Sequence, residues 1–96
     1  MAGASTPLAA PDGFDETVTL GAALATMTRG FVSAGLDTPG LDARRLACFA
    51  LGLDPVDLLR EPERVLSPEE RSRLQDVTRR RLAREPVSRI VGVRAF

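Results

Sequence analysis

Proline residues that directly follow helix-capping residues divide this chain into short segments. The pattern occurs at Pro39, Pro55 and Pro68, which follow a threonine, an aspartate and a serine. Proline has no backbone N–H and a fixed φ, so it suits the first turn of an α-helix but interrupts a helix interior. These three positions therefore predict helix starts, and the pair Glu85 and Pro86 predicts a fourth.

Apolar residues recur at helical spacing within the segments. Along residues 17–34 they follow one another at steps of four, three, four and three, which places them on one helix face: Leu20, Leu24, Met27, Phe31 and Ala34. In the segment after Pro39, the residues expected to form the buried face are Leu46, Phe49, Ala50 and Leu53. Periodicity of this kind predicts amphipathic helices that pack against one another.

The predicted fold is all-α, a compact bundle of about five helices, of which three are longer and two are short. The helices are expected over residues 17–34, 38–52, 54–59, 68–84 and 86–91. Residues 1–16 are rich in small and polar residues with few large apolar groups, so we expect a flexible leader there. The bundle is expected to occupy residues 17–92, and residues 93–96 to begin a linker.

The residue types that most often carry catalysis and metal binding are missing. The 96 residues include no His, Lys, Tyr, Trp or Asn and a single cysteine, Cys48. Zinc and iron sites draw on His and clustered Cys, and acid–base catalysis draws on His, Lys and Tyr. No glycine-rich loop of the phosphate-binding type is present. We therefore predict no catalytic, metal or cofactor site in this chain, and a packing role for Cys48.

Charge and hydropathy narrow the possible partners. Thirteen arginines balance thirteen acidic residues, so the formal net charge is zero. Nucleic-acid-binding domains usually carry a basic excess, which makes a protein partner the better expectation. No apolar run approaches the length of a transmembrane helix, and no targeting signal is evident. We expect a soluble, cytoplasmic protein that contacts neither nucleic acid nor membrane directly.

An arginine cluster lies near the end of the predicted 68–84 helix. Arg79, Arg80 and Arg84 suit a solvated helix end, where positive charge favours the helix dipole. Of these, Arg80 and Arg84 are the candidates for binding an acidic patch on a protein partner. Arg81 falls instead on the apolar face of the helix. A charge in that position needs a partner, and we expect an ion pair with Asp42 that joins two helices.

Two stretches carry a family resemblance. They read LSPEERSRLQDVTRRRLAREPVSRIVG over residues 66–92 and TPGLDARRLACFALGLDPVDLL over residues 38–59. Together they resemble the amino-terminal domain of the bacterial release-factor glutamine methyltransferases, the HemK family, and the resemblance covers residues 19–96. Its most specific residues are Arg80, Arg81, Arg84, Glu85, Pro86, Val87, Ile90 and Gly92. Arg89 stands where relatives often have tyrosine, so no aromatic contact is expected there.

The resemblance implies that substrate binding and catalysis involve different domains. The family transfers a methyl group from S-adenosylmethionine to the glutamine amide in the Gly-Gly-Gln motif of class I peptide chain release factors. Its carboxyl-terminal domain carries the glycine-rich cofactor loop and an Asn-Pro-Pro-Tyr segment, and this chain contains neither. The chain is then the helical domain that helps bind the release factor. S-adenosylmethionine would belong to a catalytic domain reached through residues 93–96, and that domain would be a second partner.

The residues leave two other functions open. One is a free-standing helical protein-interaction module. The other is a helix-turn-helix nucleic-acid-binding domain that reads DNA with its arginine-rich helix. The balanced net charge argues against the second.

Overall fold

The computed structural model describes residues 14–92, and most of them are helical. The helices are α1 (Leu20–Ser33), α2 (Pro39–Leu51), α3 (Pro55–Arg60), α4 (Pro68–Leu82) and α5 (Val87–Ile90). Within these residues the only strand-like pairing is an isolated bridge between Thr19 and Val65. No helix in this part of the chain has the length and apolar character needed to cross a bilayer. The predicted all-α bundle with three longer and two short helices is confirmed.

The central helix of the bundle is α2, which packs against each of the other four helices. The largest fully buried side chains come from α1, α2, α4 and the loop before α4: Phe31, Leu20, Met27, Leu46, Leu66 and Leu74. Burial of each such side chain stabilises the fold by about 1.5–3 kcal/mol. The apolar stripe predicted for the first helix therefore faces the core.

Two phenylalanines differ from expectation. Phe14 is only 3% exposed and belongs to the core, although it lies within the predicted leader. Residues 1–13 of the predicted leader and the predicted linker over residues 93–96 lie outside the described residues. Phe49 is 50% exposed, so its predicted burial is wrong. Ala43 and Ala47 face the core instead, because small side chains let α2 approach several helices closely.

The amino terminus of α1 is held by the loop between α3 and α4. The backbone N–H groups of Leu20 and Gly21 donate to the carbonyl oxygens of Arg64 and Pro62, both at 2.8 Å. Thr19 caps the next donor through its hydroxyl, which accepts from the N–H of the third helical residue at 3.2 Å. The first N–H groups of a helix have no partner within it, so these bonds satisfy donors that would otherwise be lost. They also fix where α1 begins.

A capping box is present at the start of α4. Ser67 Oγ accepts from the N–H of Glu70 at 3.2 Å, and Glu70 Oε1 accepts from the N–H of Ser67 at 2.9 Å. Arg64 Nη1 donates to both carboxylate oxygens of Glu70 at 3.0 Å. Glu70 therefore stabilises the helix start and also joins it to the preceding loop.

The end of α4 comes earlier than predicted. Arg84 has φ +75°, in the left-handed region, and the N–H groups of Arg84 and Glu85 donate to the carbonyls of Arg81 and Arg80 at 2.9 and 3.1 Å. This pair of bonds closes a helix, usually with glycine in the left-handed position, as at Gly35 after α1. A non-glycine residue in that conformation costs about 1–2 kcal/mol, so something else must hold Arg84 there.

We predict that Gly21→Ala and Gly30→Ala have opposite effects on stability. A Cβ at Gly21 would lie 3.2 Å from both Cβ and O of Pro62, whereas a Cβ at Gly30 meets nothing within 4 Å. In an open helix interior, Ala is better than Gly by about 0.5–1 kcal/mol, so Gly30→Ala should stabilise the chain. Gly21→Ala should destabilise it by forcing the loop away. Urea denaturation measures both, and equal gains in the two variants would contradict the loop contact.

A second prediction concerns acid stability. Burial raises the pKa of the Glu70 carboxyl, but hydrogen bonds from Ser67 and Arg64 outweigh it and hold the pKa below its ordinary value. A carboxylate with a depressed folded pKa adds stability above its unfolded pKa, and that stability is lost as the pH falls through the folded pKa. The stability difference between wild type and Glu70→Gln should therefore be largest near neutral pH and narrow below the ordinary glutamate pKa.

The measurement is urea denaturation from about pH 7 to about pH 3. Glu69→Gln is the matched control, since the Glu69 side chain makes no hydrogen bond or ion pair to residues 14–92. Equal pH dependence for the two differences would contradict the role assigned to Glu70.

Candidate partner-binding surface

Arg81 and Asp42 meet between the last turn of α4 and the first turn of α2. Arg81 Nε donates to Asp42 Oδ2 at 3.0 Å, and the side chains are 17% and 6% exposed. Asp42 Oδ1 accepts from the hydroxyl of Thr38 at 2.9 Å, and Arg81 Nη1 donates to the carbonyl oxygen of Glu85 at 3.0 Å. The structure thus brings together the two residues that the sequence suggested as an ion pair.

The surroundings of this pair satisfy its polar atoms. Burying a charge is costly unless it is both paired and hydrogen-bonded. Within residues 14–92, every buried side-chain nitrogen or oxygen has a hydrogen-bond partner. Thr38, which stands at the cap position of α2, makes no capping bond to the helix and uses its hydroxyl on Asp42 instead. The pair therefore joins α2, α4 and the turn into α5.

Arg80, one of the two predicted partner-binding residues, is engaged within the chain. Its Nε and Nη2 donate to Glu85 Oε1 and Oε2 at 2.9 and 2.6 Å. Hydrogen bonding from Arg80 lowers the pKa of the Glu85 carboxyl. The Arg80 side chain remains 39% exposed, so it can still contact a partner, but its charge is opposed by a carboxylate.

Arg84, the other predicted partner-binding residue, lies on the surface where α1 and α4 end. Its Nη2 donates to the carbonyl oxygen of Ala34, the cap residue of α1, at 2.6 Å. This bond ties the two helix ends together and offsets the left-handed backbone of Arg84. A carbonyl oxygen carries no net charge, so the positive charge of Arg84 is not neutralised. The structure does not join Arg80 and Arg84 into one contact.

Cys48 is the remaining candidate for a reactive side chain, and its surroundings favour a packing role. Cys48 is half-buried, and burial together with the charges of Asp54 and Asp57 raises its thiol pKa. A raised pKa keeps the thiol protonated and poorly nucleophilic. Among residues 14–92, no three His, Cys, Asp or Glu side chains are grouped to hold a metal ion.

The outward face of α2 was not among the surfaces predicted from the sequence. Leu41, Arg44, Arg45 and Cys48 share this face, and they border a groove with Pro55 and Val91. Steps of three, one and three along the helix would have revealed it. An apolar stripe indicates only the buried face of a helix, and this mixed apolar and basic face lies elsewhere on α2. Leu41 is 45% exposed.

We predict that Asp42→Asn destabilises the chain by about 3–5 kcal/mol, because it leaves the Arg81 guanidinium buried without a counter-charge. Asp76→Asn is the control: it breaks the Arg79–Asp76 pair, whose side chains are 66% and 54% exposed. An exposed ion pair of this kind contributes about 0–1 kcal/mol to the free energy of unfolding.

A double-mutant cycle measures the interaction between the two residues. It compares the free energy of unfolding by denaturant for wild type, Asp42→Asn, Arg81→Met and the double variant. The double variant should lose less stability than the two single losses added together, since neither charge is then left alone. Additive losses, or a loss in Asp42→Asn no larger than in Asp76→Asn, would contradict the assigned role.

Comparison with known proteins shows which family the chain is similar to. A family model described as the PrmC N-terminal domain matches residues 22–92. A release factor glutamine methyltransferase of Rhodospirillum rubrum is 51% identical over 63 residues, covering 66% of this chain and 19% of that protein. Those of Bradyrhizobium diazoefficiens and Vibrio cholerae are 44% and 36% identical over 71 and 80 residues, covering 74% and 83% of this chain and 24% and 28% of each relative.

The chain therefore spans about a fifth to a quarter of the length of these relatives. No solved structure matches it. The family match covers nearly all of the described helices and includes the arginines at the end of α4. On these grounds, the chain belongs to the PrmC N-terminal domain family.

Proposed function

We propose that this chain is the amino-terminal, substrate-recognition domain of an enzyme that methylates the glutamine of the Gly-Gly-Gln motif in class I peptide chain release factors. The domain helps bind the release factor and does not catalyse the reaction alone. The observation that carries the proposal is the family match over residues 22–92, together with relatives named as release factor glutamine methyltransferases. The protein would act in the cytoplasm.

The distribution of polar side chains supports a binding role. The sequence has no His, Lys or Tyr, and the carboxylates nearest to arginines serve helix caps and ion pairs. S-adenosylmethionine, which supplies the methyl group in such a reaction, would be held by a separate catalytic domain. That domain is the second partner that we propose for this chain.

The end of α4 is the proposed charged contact. Arg84 is exposed and its charge is not opposed by a carboxylate, while Arg80 keeps part of its guanidinium accessible beside Glu85. Arginine donors of this kind pair well with carboxylates on a partner surface. An acidic patch on the release factor would therefore meet the surface where α1 and α4 end.

Calorimetric titration of a class I release factor into the chain tests this proposal. Arg80→Glu/Arg84→Glu should weaken binding by about tenfold or more, since charge reversal places like charges across the contact. Arg79→Glu is the matched control, one position away on the same helix and paired only with Asp76. Circular dichroism establishes that each variant is folded. Absence of binding by the wild-type chain would contradict the proposal.

A further inference from the structure

The outward face of α2 forms one side of a shallow groove on the surface opposite the core. The groove encloses about 330 Å³ and is completed by one residue from α3 and one from the turn after α5. Its lining residues are Leu41, Arg44, Arg45, Cys48, Pro55 and Val91. The lining therefore combines apolar side chains, called here the floor of the groove, with two arginines, called its rim.

The apolar floor is open to solvent. Leu41 is 45% exposed, Cys48 and Val91 are half-buried, and Pro55 is exposed. Several apolar groups that converge at one groove are the usual composition of a site that takes an apolar side chain. A floor of this kind gains free energy when a partner covers it.

The two arginines on the rim are unpaired. The side chains of Arg44 and Arg45 make no ion pair or hydrogen bond to residues 14–92, whereas those of Arg60, Arg79 and Arg80 pair with a nearby Asp or Glu. The cause is local, because α2 contains a single acidic residue, Asp42.

Asp42 stands at the helical spacing that would suit Arg45, but it is buried and bound to Arg81. Two adjacent positive charges therefore face solvent beside an apolar floor. A carboxylate from outside the domain would complement them.

A second groove, between α2 and α4, differs in charge. It is lined by Phe49, Ala50, Ser72, Arg73, Asp76 and Val77, so a basic and an acidic residue share it. It offers an apolar surface without a preference for one sign of charge. Of these two grooves, both in the described part of the chain, the α2 outward groove is the one whose lining includes basic residues and no acidic one.

We propose that this α2 outward groove docks a protein segment that carries a carboxylate beside a protruding apolar side chain. The apolar side chain lies over Leu41, Cys48 and Val91, and the carboxylate pairs with Arg44 and Arg45. The inference rests on the proposed function, under which the segment belongs to the class I release factor. It adds a contact separate from the arginines at the end of α4.

The first test is charge removal. Arg44→Gln/Arg45→Gln should weaken binding of a class I release factor by about tenfold, and the loss should shrink as salt is raised. Arg73→Gln in the second groove is the matched control and should leave affinity within about twofold. Unchanged affinity in Arg44→Gln/Arg45→Gln would overturn the inference while leaving the proposed function intact.

The second test needs no change to the arginines. Cys48 is the single cysteine of the chain and lines the groove, so its rate of alkylation by a maleimide, followed by mass spectrometry, reports whether the groove is occupied. Saturating release factor should slow the reaction by about tenfold or more. In a Cys48→Ser/Ser72→Cys variant, the cysteine lies in the second groove and its rate should stay the same.

Three further outcomes also test the inference. No protection of Cys48 by a bound release factor overturns the inference. Protection that appears when the chain alone is concentrated, with dimer mass in light scattering, overturns it in favour of a second copy as the occupant. If the wild-type chain binds no release factor, the inference and the proposed function both fail.

Discussion

The buried ion pair between Arg81 and Asp42 is the interaction on which much of this domain depends. It joins the end of α4 to the beginning of α2, the helix that packs against all the others. The same guanidinium donates to the carbonyl of Glu85, so it also sets the turn that leads into α5. Breaking one half of such a pair leaves an uncompensated charge in the interior, which costs more than the intact pair contributes. This contact thus links three helices that also pack together through the apolar core.

The pair also shapes the surface. Because Asp42 is turned inward, α2 has no acidic residue left for Arg44 and Arg45, and their charges face outward beside exposed apolar side chains. The arginines at the end of α4 are instead engaged within the domain. Arg80 is paired with Glu85, and Arg84 donates to a carbonyl oxygen at the end of α1. Arginines adjacent in sequence therefore differ in what they offer a partner. Counting charges along the chain does not reveal this difference, since it arises from where the acidic residues point.

The polar side chains of this domain serve mainly to hold its helices together. The described carboxylates that lie beside arginines are held in caps and ion pairs, and the thiol is kept protonated. Such groups make a rigid support for exposed contacts. Within the proposed function, the two surfaces would act together on one release factor, and weak contacts that act together give useful affinity without a single dominant site.

The sequence by itself determined where α2, α3 and α4 begin, because capping residues and prolines act within one turn, and the helical period placed Arg81 on the inner face. It also indicated the family through residues near the end of α4. Tertiary structure decided the rest. Phe14 is buried because a core surface is available to it, and Phe49 is exposed because α2 approaches its neighbours through alanines. α4 ends before Arg84 because that side chain reaches Ala34 across the bundle. The sequence suggested Asp42 as the partner of Arg81, but the packing of α2 against α4 brings the two side chains together and decides which arginines stay unpaired.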